Sequence, residues 1–393
     1  MAEHSRRNPL LASLSVLVVA VLLGLPFLRV APNRLVSGQS VYFSSIADGS
    51  VWLLLTFLCV VLCAVALVTV FRPGRIWLGL VLATSAALMP GLLWLAASHA
   101  NLTAQGAASI ARTSFGSAFW LAVVLLAFLS NSALEQLRAT ALQRAALGAA
   151  MLLCLSAILG SGICANLSLV KEYTQRADDF GLLLARHVQI VLLALAFTVC
   201  IGLLSGWLAH AHAGVGRAVL PVLNIIQTIP SIALFGLLMA PLSLLAASVP
   251  ALGRAGISGV GLAPAVIALT LYGLLPVVRS VLAGLQQVSA SMRGAAAALG
   301  LTPFQVLIHI ELPLALPVLL GGIRTAAVAS VGLAAVTALI GAGGLGSIMF
   351  EGLFSNAQDL VLLGVLPIVA LGMLVDALFK VLIGLARTRA HSS

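Results

Sequence analysis

The chain has 393 residues, of which 62% are hydrophobic and only 8% charged. A soluble globular protein carries about 25% charged residues, and disorder needs low hydrophobicity with high net charge, so both classes are excluded. The formal net charge of +10 comes from 20 Lys and Arg against 10 Asp and Glu. These basic residues are scattered singly, with no block and no interleaved aromatic platform, which argues against a nucleic-acid partner.

A helix needs about 20 apolar residues to cross the hydrocarbon core. In chain order the apolar runs are 9–28, 51–71, 76–98, 117–134, 145–165, 187–208, 218–240, 262–284, 314–339 and 361–384. The first follows Arg6 and Arg7, exceeds a signal-peptide core in length and has no A-x-A site behind it, so it reads as an uncleaved span. Lipid offers no partner to unpaired backbone groups, so every span must be helical. The expected fold is an all-α polytopic membrane protein with about ten transmembrane helices.

An even count puts both termini on one side. With the ends in the cytoplasm, the 20 basic residues divide 13 inside to 7 outside, as the positive-inside rule prefers. Trp52, Trp77, Trp94, Trp120 and Trp207 fall near span ends, where interfacial anchors belong. The five cysteines all lie in apolar runs without a His or acid to complete a metal set, and read as small packing residues.

The most charged interval, 166–186, separates five N-terminal spans from five C-terminal ones. It divides the chain into an N-terminal membrane extension, 1–180, and a second domain, 181–393. In the latter, Asn224, Gln227, Pro230 and Ser231 place polar or helix-bending groups in the seventh span, and Tyr272 adds one in the eighth. A bend at Pro230 frees carbonyls that could line a cavity; packing by small and polar residues accounts for each of them equally well. Asp376, well inside the last span, has Lys380 four residues on as a partner.

Between the eighth and ninth spans lies Ser291-Met-Arg-Gly-Ala-Ala-Ala-Ala-Leu-Gly-Leu-Thr-Pro-Phe-Gln-Val-Leu-Ile-His-Ile-Glu-Leu-Pro313. Ala295 to Leu299 is a strong helix former, and Gly300 can supply a left-handed C-terminal cap. Thr302 can cap a following helix with Pro303 at its first position. A small-residue helix held at a membrane face suits a cleft on a partner; an amphipathic connector is the alternative.

This segment resembles the cytoplasmic coupling loop of ABC-importer permeases, E-A-A-x-x-x-G, nine residues, then I-x-L-P. Ala295, Ala296, Gly300, Ile310, Leu312 and Pro313 occupy the matching places, and Gly294 stands where the family has Glu. Gln227-Thr-Ile-Pro-Ser-Ile-Ala-Leu234, Tyr272-Gly-Leu-Leu-Pro-Val-Val-Arg279 and Gly341-Ala-Gly-Gly-Leu-Gly346 with Asp359 are similar to the glycine betaine/choline/carnitine permeases. The resemblance covers roughly 180–390. It implies a type I permease core in a bacterial cytoplasmic (inner) membrane, importing betaine-type compatible solutes, with the 291–313 loop docking on an ATPase. The implied partners are a cytoplasmic ATPase dimer, a second permease, identical or homologous, a periplasmic or tethered solute-binding protein, and membrane lipid. No cofactor is expected on this chain. No G-x-x-x-x-G-K-[ST] occurs, so ATP and Mg belong to the partner ATPase and the chain is not itself an enzyme.

A quaternary ammonium has no N–H to donate and is held by aromatic faces. With three Tyr and five Trp in this chain, the selective cage is expected in the binding protein. Rival readings are a permease for another small solute such as an amino acid, and an ion-coupled secondary transporter. The latter predicts internal repeats and discontinuous helices and gives no reason for the 291–313 loop. An intramembrane enzyme would need H-E-x-x-H or paired acids, which are missing. Gly341 to Gly346 fits G-x-G-x-x-G but lies between membrane helices rather than in a βαβ unit. Asn101-Leu-Thr103 and Asn166-Leu-Ser168 fit the glycosylation pattern, and His210 and His212 lack a third ligand.

Overall fold

The computed structural model describes residues 9–33, 38–46, 49–72, 74–106, 111–254 and 256–392. Arg6, Arg7 and Arg34, among the basic residues counted above, lie outside the described residues. The chain divides into two compact units, Met1–Gln175 and Arg176–Ser393. Among the described residues nine helices are long and apolar enough to cross a membrane. Eight of them match expected spans; the first expected run forms a shorter helix, and the seventh is displaced.

The first unit comprises α1 (Leu10–Gly24), β1 (Pro26–Ala31), β2 (Gln39–Tyr42), α2 (Ser50–Phe71), α3 (Arg75–Gly106), β3 (Arg112–Phe115), α4 (Ser117–Gln136), α5 (Ala141–Gly160) and α6 (Ser168–Gln175). The all-α expectation therefore needs one addition, an antiparallel sheet in the order β2-β1-β3. It also explains the short α1. Pro26 ends the helical pattern, and the apolar run continues as strand residues Phe27 and Leu28, both fully buried. A short apolar run does not by itself distinguish a helix from a buried strand.

In β1, Leu28 pairs with Phe115 of β3 and Val41 of β2. Phe27 meets Phe43 edge-on at 5.7 Å and Phe119 at 6.0 Å. Thr113 bridges Leu167, which follows α5. The segments after α1, α3 and α5 thus converge at one end of this unit, as alternating spans require. The two glycosylation-pattern asparagines are spent on each other there, Asn166 Nδ2 donating to Asn101 Oδ1 at 2.9 Å. Lys171 donates to the Ala111 carbonyl at 3.1 Å; burial, then the nearby Arg112, pushes its ammonium pKa down.

The second unit comprises α7 (Ala177–Ala211), α8 (Ala213–Thr228), α9 (Ser231–Ser248), α10 (Pro250–Arg254), α11 (Leu262–Gln286), α12 (Ala290–Ala298), α13 (Pro303–Val306), α14 (Leu312–Leu333), α15 (Leu345–Phe354) and α16 (Gln358–Ser392). Its centre is α11, enclosed by α7 and α14. The approach is close: a Cβ on Gly206 of α7 would lie 2.6 Å from the Val281 Cβ. Small residues of this kind let membrane helices pack where no hydrophobic drive exists between them.

Hydrogen bonds define the two ends of this unit. At one end Arg186 of α7 donates to the Ala342 carbonyl at 3.0 Å, buried His187 lies 3.1 Å from the Val331 carbonyl, and Arg176 pairs with Glu351. At the other end the C-termini of α7 and α11 meet the segment between α11 and α14. All five cysteines are free.

The expected seventh span, 218–240, is corrected. The membrane-length helix there is Ser231–Ser248, and α8 is a separate piece broken off at Ile229 and Pro230. Proline disfavours the helical region for its predecessor, and Ile229 is extended at ψ 125°.

Candidate functional site

Two places in the second unit gather the polar and turn-forming residues. The first is the break between α8 and α9. Pro276 has no N–H for the Tyr272 carbonyl four residues earlier, and that carbonyl instead accepts from Gln227 Nε2 at 2.6 Å. Tyr272 OH in turn donates to the Ile229 carbonyl at the break. Two prolines thus leave two carbonyls open, and one glutamine and one tyrosine satisfy them across the α8–α11 contact. The sequence-based expectation was that such carbonyls line a cavity; here side chains take both.

Tyr272 is the eleventh of the 25 residues of α11, near the middle of the span. Asn224, one turn before Gln227 on α8, donates to the Leu220 carbonyl at 2.8 Å and accepts from Arg279 at 2.6 Å. The structure therefore brings Asn224, Gln227, Pro230 and Tyr272 together, with Ser231 opening α9 directly after the break. Arg279 was missed as a member of this group. It lies seven residues after Tyr272, two helical turns along the same face, and that spacing was available in the sequence.

The second place is the segment from α12 to α14. Gly300 sits at φ +80°, and the Leu301 N–H reaches back to the Ala296 carbonyl at 3.2 Å, the six-to-one bond of a glycine-capped helix end. Thr302 and Gln305 then form a reciprocal capping box with Pro303 at the first helical position. Gly294 and Ala295 are exposed on α12, while Ala296 is buried. Pro313 cannot donate to His309, and the chain accommodates it with a π turn over Leu307–Glu311 that contains Ile310. Leu312 and Pro313 open α14. Leu299 and Phe304, on either side of the reversal, are 82% and 69% exposed.

An ion pair not anticipated from the sequence holds this segment. Arg293 of α12 binds Glu311 at 2.5 Å and the Leu285 carbonyl of α11 at 2.9 Å, with His210 of α7 at 3.5 Å. The partners are 18 residues apart, beyond any helical spacing. Asp376 of α16 takes Lys380 at 2.7 Å as its spacing suggested, and also Arg324 Nε of α14 at 2.6 Å. No group of three or more His, Cys, Asp or Glu among the described residues could hold a metal ion.

A polytopic helical bundle with a proline-broken span and a capped, small-residue reversal at one end defines a class, the membrane-spanning subunit of a transporter. Comparison with known proteins specifies it. The binding-protein-dependent transport system inner membrane component family matches residues 198–387, and the N-terminal domain of the ABC transporter permease YehY matches 6–170. The osmoprotectant import permease protein OsmW of Salmonella typhimurium is 38% identical over 191 residues, 49% of this chain and 84% of that protein. OsmY of the same organism is 35% identical over 205 residues, 52% of this chain and 80% of that protein. The glycine betaine/carnitine/choline transport system permease protein OpuCD of Bacillus subtilis is 32% identical over 194 residues, 49% of this chain and 77% of that protein. The chain belongs to this family of multi-pass inner-membrane ABC-importer permeases. The broken span between α8 and α9 is thus a feature of a permease, not a mark of a secondary transporter.

Proposed function

We propose that this chain is the permease subunit of an ATP-driven importer for betaine-type compatible solutes. Its α12–α13 reversal docks on a separate cytoplasmic ATPase dimer that holds ATP and Mg, and the α8–α11 polar face forms part of the solute path. A second permease completes the path, and a periplasmic or tethered binding protein delivers the solute. The observation that carries the reading is the reversal itself. Small residues lead into a rigidly capped turn whose flanking Leu299 and Phe304 stand exposed, a shape suited to a cleft on a partner. The permeases for osmoprotectants, choline and carnitine among its relatives supply the solute class.

The test is uptake of labelled glycine betaine into proteoliposomes containing the permease, with the ATPase and binding protein supplied. Uptake is expected only with ATP, and the purified permease alone should neither bind nor hydrolyse it. Stoichiometric ATP binding by the isolated chain overturns the subunit assignment; ATP-driven uptake of an amino acid instead of betaine overturns the solute class.

In this reading the end holding Arg293 and Gly300 is cytoplasmic, as are both chain termini. Reporter fusions near Gly300 and after Arg389 should report a cytoplasmic location, and fusions near Gln175 and Gly346 an external one. An external signal at Gly300 removes the ATPase contact.

A further inference from the structure

Most of α11 is enclosed, with Ala268, Val277, Val278 and Val281 among its buried residues. One stripe stays open: Tyr272, Pro276, Arg279, Ala283 and Gln286 are half-buried or exposed, at the spacing of a single helical face. Arg279 is the eighteenth of the helix's 25 residues, so it lies about 10 Å from the helix end at 1.5 Å per residue. A cation at that depth is costly and calls for a partner.

The other arginines show what such a partner usually is. Arg176, Arg293 and Arg324 pair with Glu351, Glu311 and Asp376. Arg279 instead donates through one Nη to the neutral Asn224 amide oxygen at 2.6 Å, and among the described residues no carboxylate stands within ion-pair reach of it. Asn224 is itself oriented by the Leu220 carbonyl, so the guanidinium is aimed while four of its five N–H groups remain available.

We propose that Arg279 receives the carboxylate of the solute as it passes along the α8–α11 face, which makes the permease selective for zwitterions over simple cations. A betaine nitrogen carries no N–H, so its carboxylate is the end that can make directed hydrogen bonds. The planar guanidinium fork matches a carboxylate with two parallel bonds. Tyr272, about 10 Å further along the same stripe at helical rise, is too far to hold the other end of so small a solute at the same moment. Recognition is therefore by one end at this step, which suits a path that must also release its cargo.

This inference rests on the pathway assignment above, and the experiment separates the two. In proteoliposomes holding the whole importer, Arg279→Gln should lower glycine betaine uptake about tenfold or more relative to choline uptake, since choline has no carboxylate to lose. Arg279→Lys, which keeps the charge without the fork, should retain an intermediate rate for betaine. Equal loss of both solutes, or unchanged betaine uptake, overturns the proposal. In a variant with its native cysteines replaced, Arg279→Cys should react with the water-borne anion sulfonatoethyl methanethiosulfonate. No reaction places the residue off the aqueous path and overturns the proposal whatever the solute. Should the wild type import an amino acid rather than betaine or choline, the proposed solute class fails. Arg279→Gln is then judged on that amino acid, and undiminished uptake overturns the carboxylate role.

Discussion

Replacing Gly300 with tryptophan is expected to leave the chain at normal levels in the membrane but abolish uptake and ATPase co-purification. The backbone there is left-handed, at φ +80°, and a β-carbon in that region costs roughly 1–2 kcal/mol. No other atom lies within 4 Å of the place that β-carbon would occupy, so no clash adds to the cost and the bundle remains folded. The damage is confined to the tip, where an indole would stand between exposed Leu299 and Phe304 and obstruct insertion into a cleft. Gly294→Glu is the counterpart. The position is exposed on α12 with open space around it, and the substitution restores the acid of the family pattern, so association should hold or strengthen. Full uptake with normal co-purification in Gly300→Trp would remove the coupling role and leave the segment a connector.

Reversing one charge of the Arg293–Glu311 pair should be nearly as severe, for a different reason. Glu311 is largely enclosed, with 12% of its side chain exposed, and Arg293 is 37% exposed. Removing one partner from a fully buried pair costs about 3–5 kcal/mol because the other charge is stranded; the exposure of Arg293 puts this pair below that range. Glu311→Lys sets two cations against each other and should free α12 from the π turn, reducing ATP-driven uptake about tenfold or more, the expectation for about 1.4 kcal/mol or more of lost coupling. Arg293→Glu combined with Glu311→Arg should recover part of the rate but not all, since glutamate cannot donate to the Leu285 carbonyl. The measurements are uptake and ATPase co-purification at matched membrane expression. A double variant no better than either single one would show that the pair does not position α12.

Both variants act on features of unequal visibility. The Gly300 reversal is local: an alanine-rich helix, a glycine cap and a Thr-x-x-Gln box all fall within one short stretch of chain, and each residue declares its own role by its backbone preference. The Arg293–Glu311 pair is legible only after folding, because α12, the turn and α13 must first bring the two residues together. Arg279 lies between these cases. Its spacing from Tyr272 was plain, yet whether that face of α11 would be enclosed or open depended on where α7 and α14 packed.

What the sequence alone determined was the membrane class, eight of the spans and the turn chemistry of the reversal. These follow from composition, run length and the φ preferences of Gly and Pro, which act within a few residues. The structure decided the rest through contacts between distant segments. Phe27 and Leu28 join a sheet because Arg112–Phe115 is carried to them by α3 and α4, and no local signal distinguishes their apolar run from the end of a helix. Likewise the break at Pro230 is satisfied by Tyr272, more than 40 residues away. An open carbonyl in a bilayer must find a donor, but which donor reaches it depends on how the helices pack.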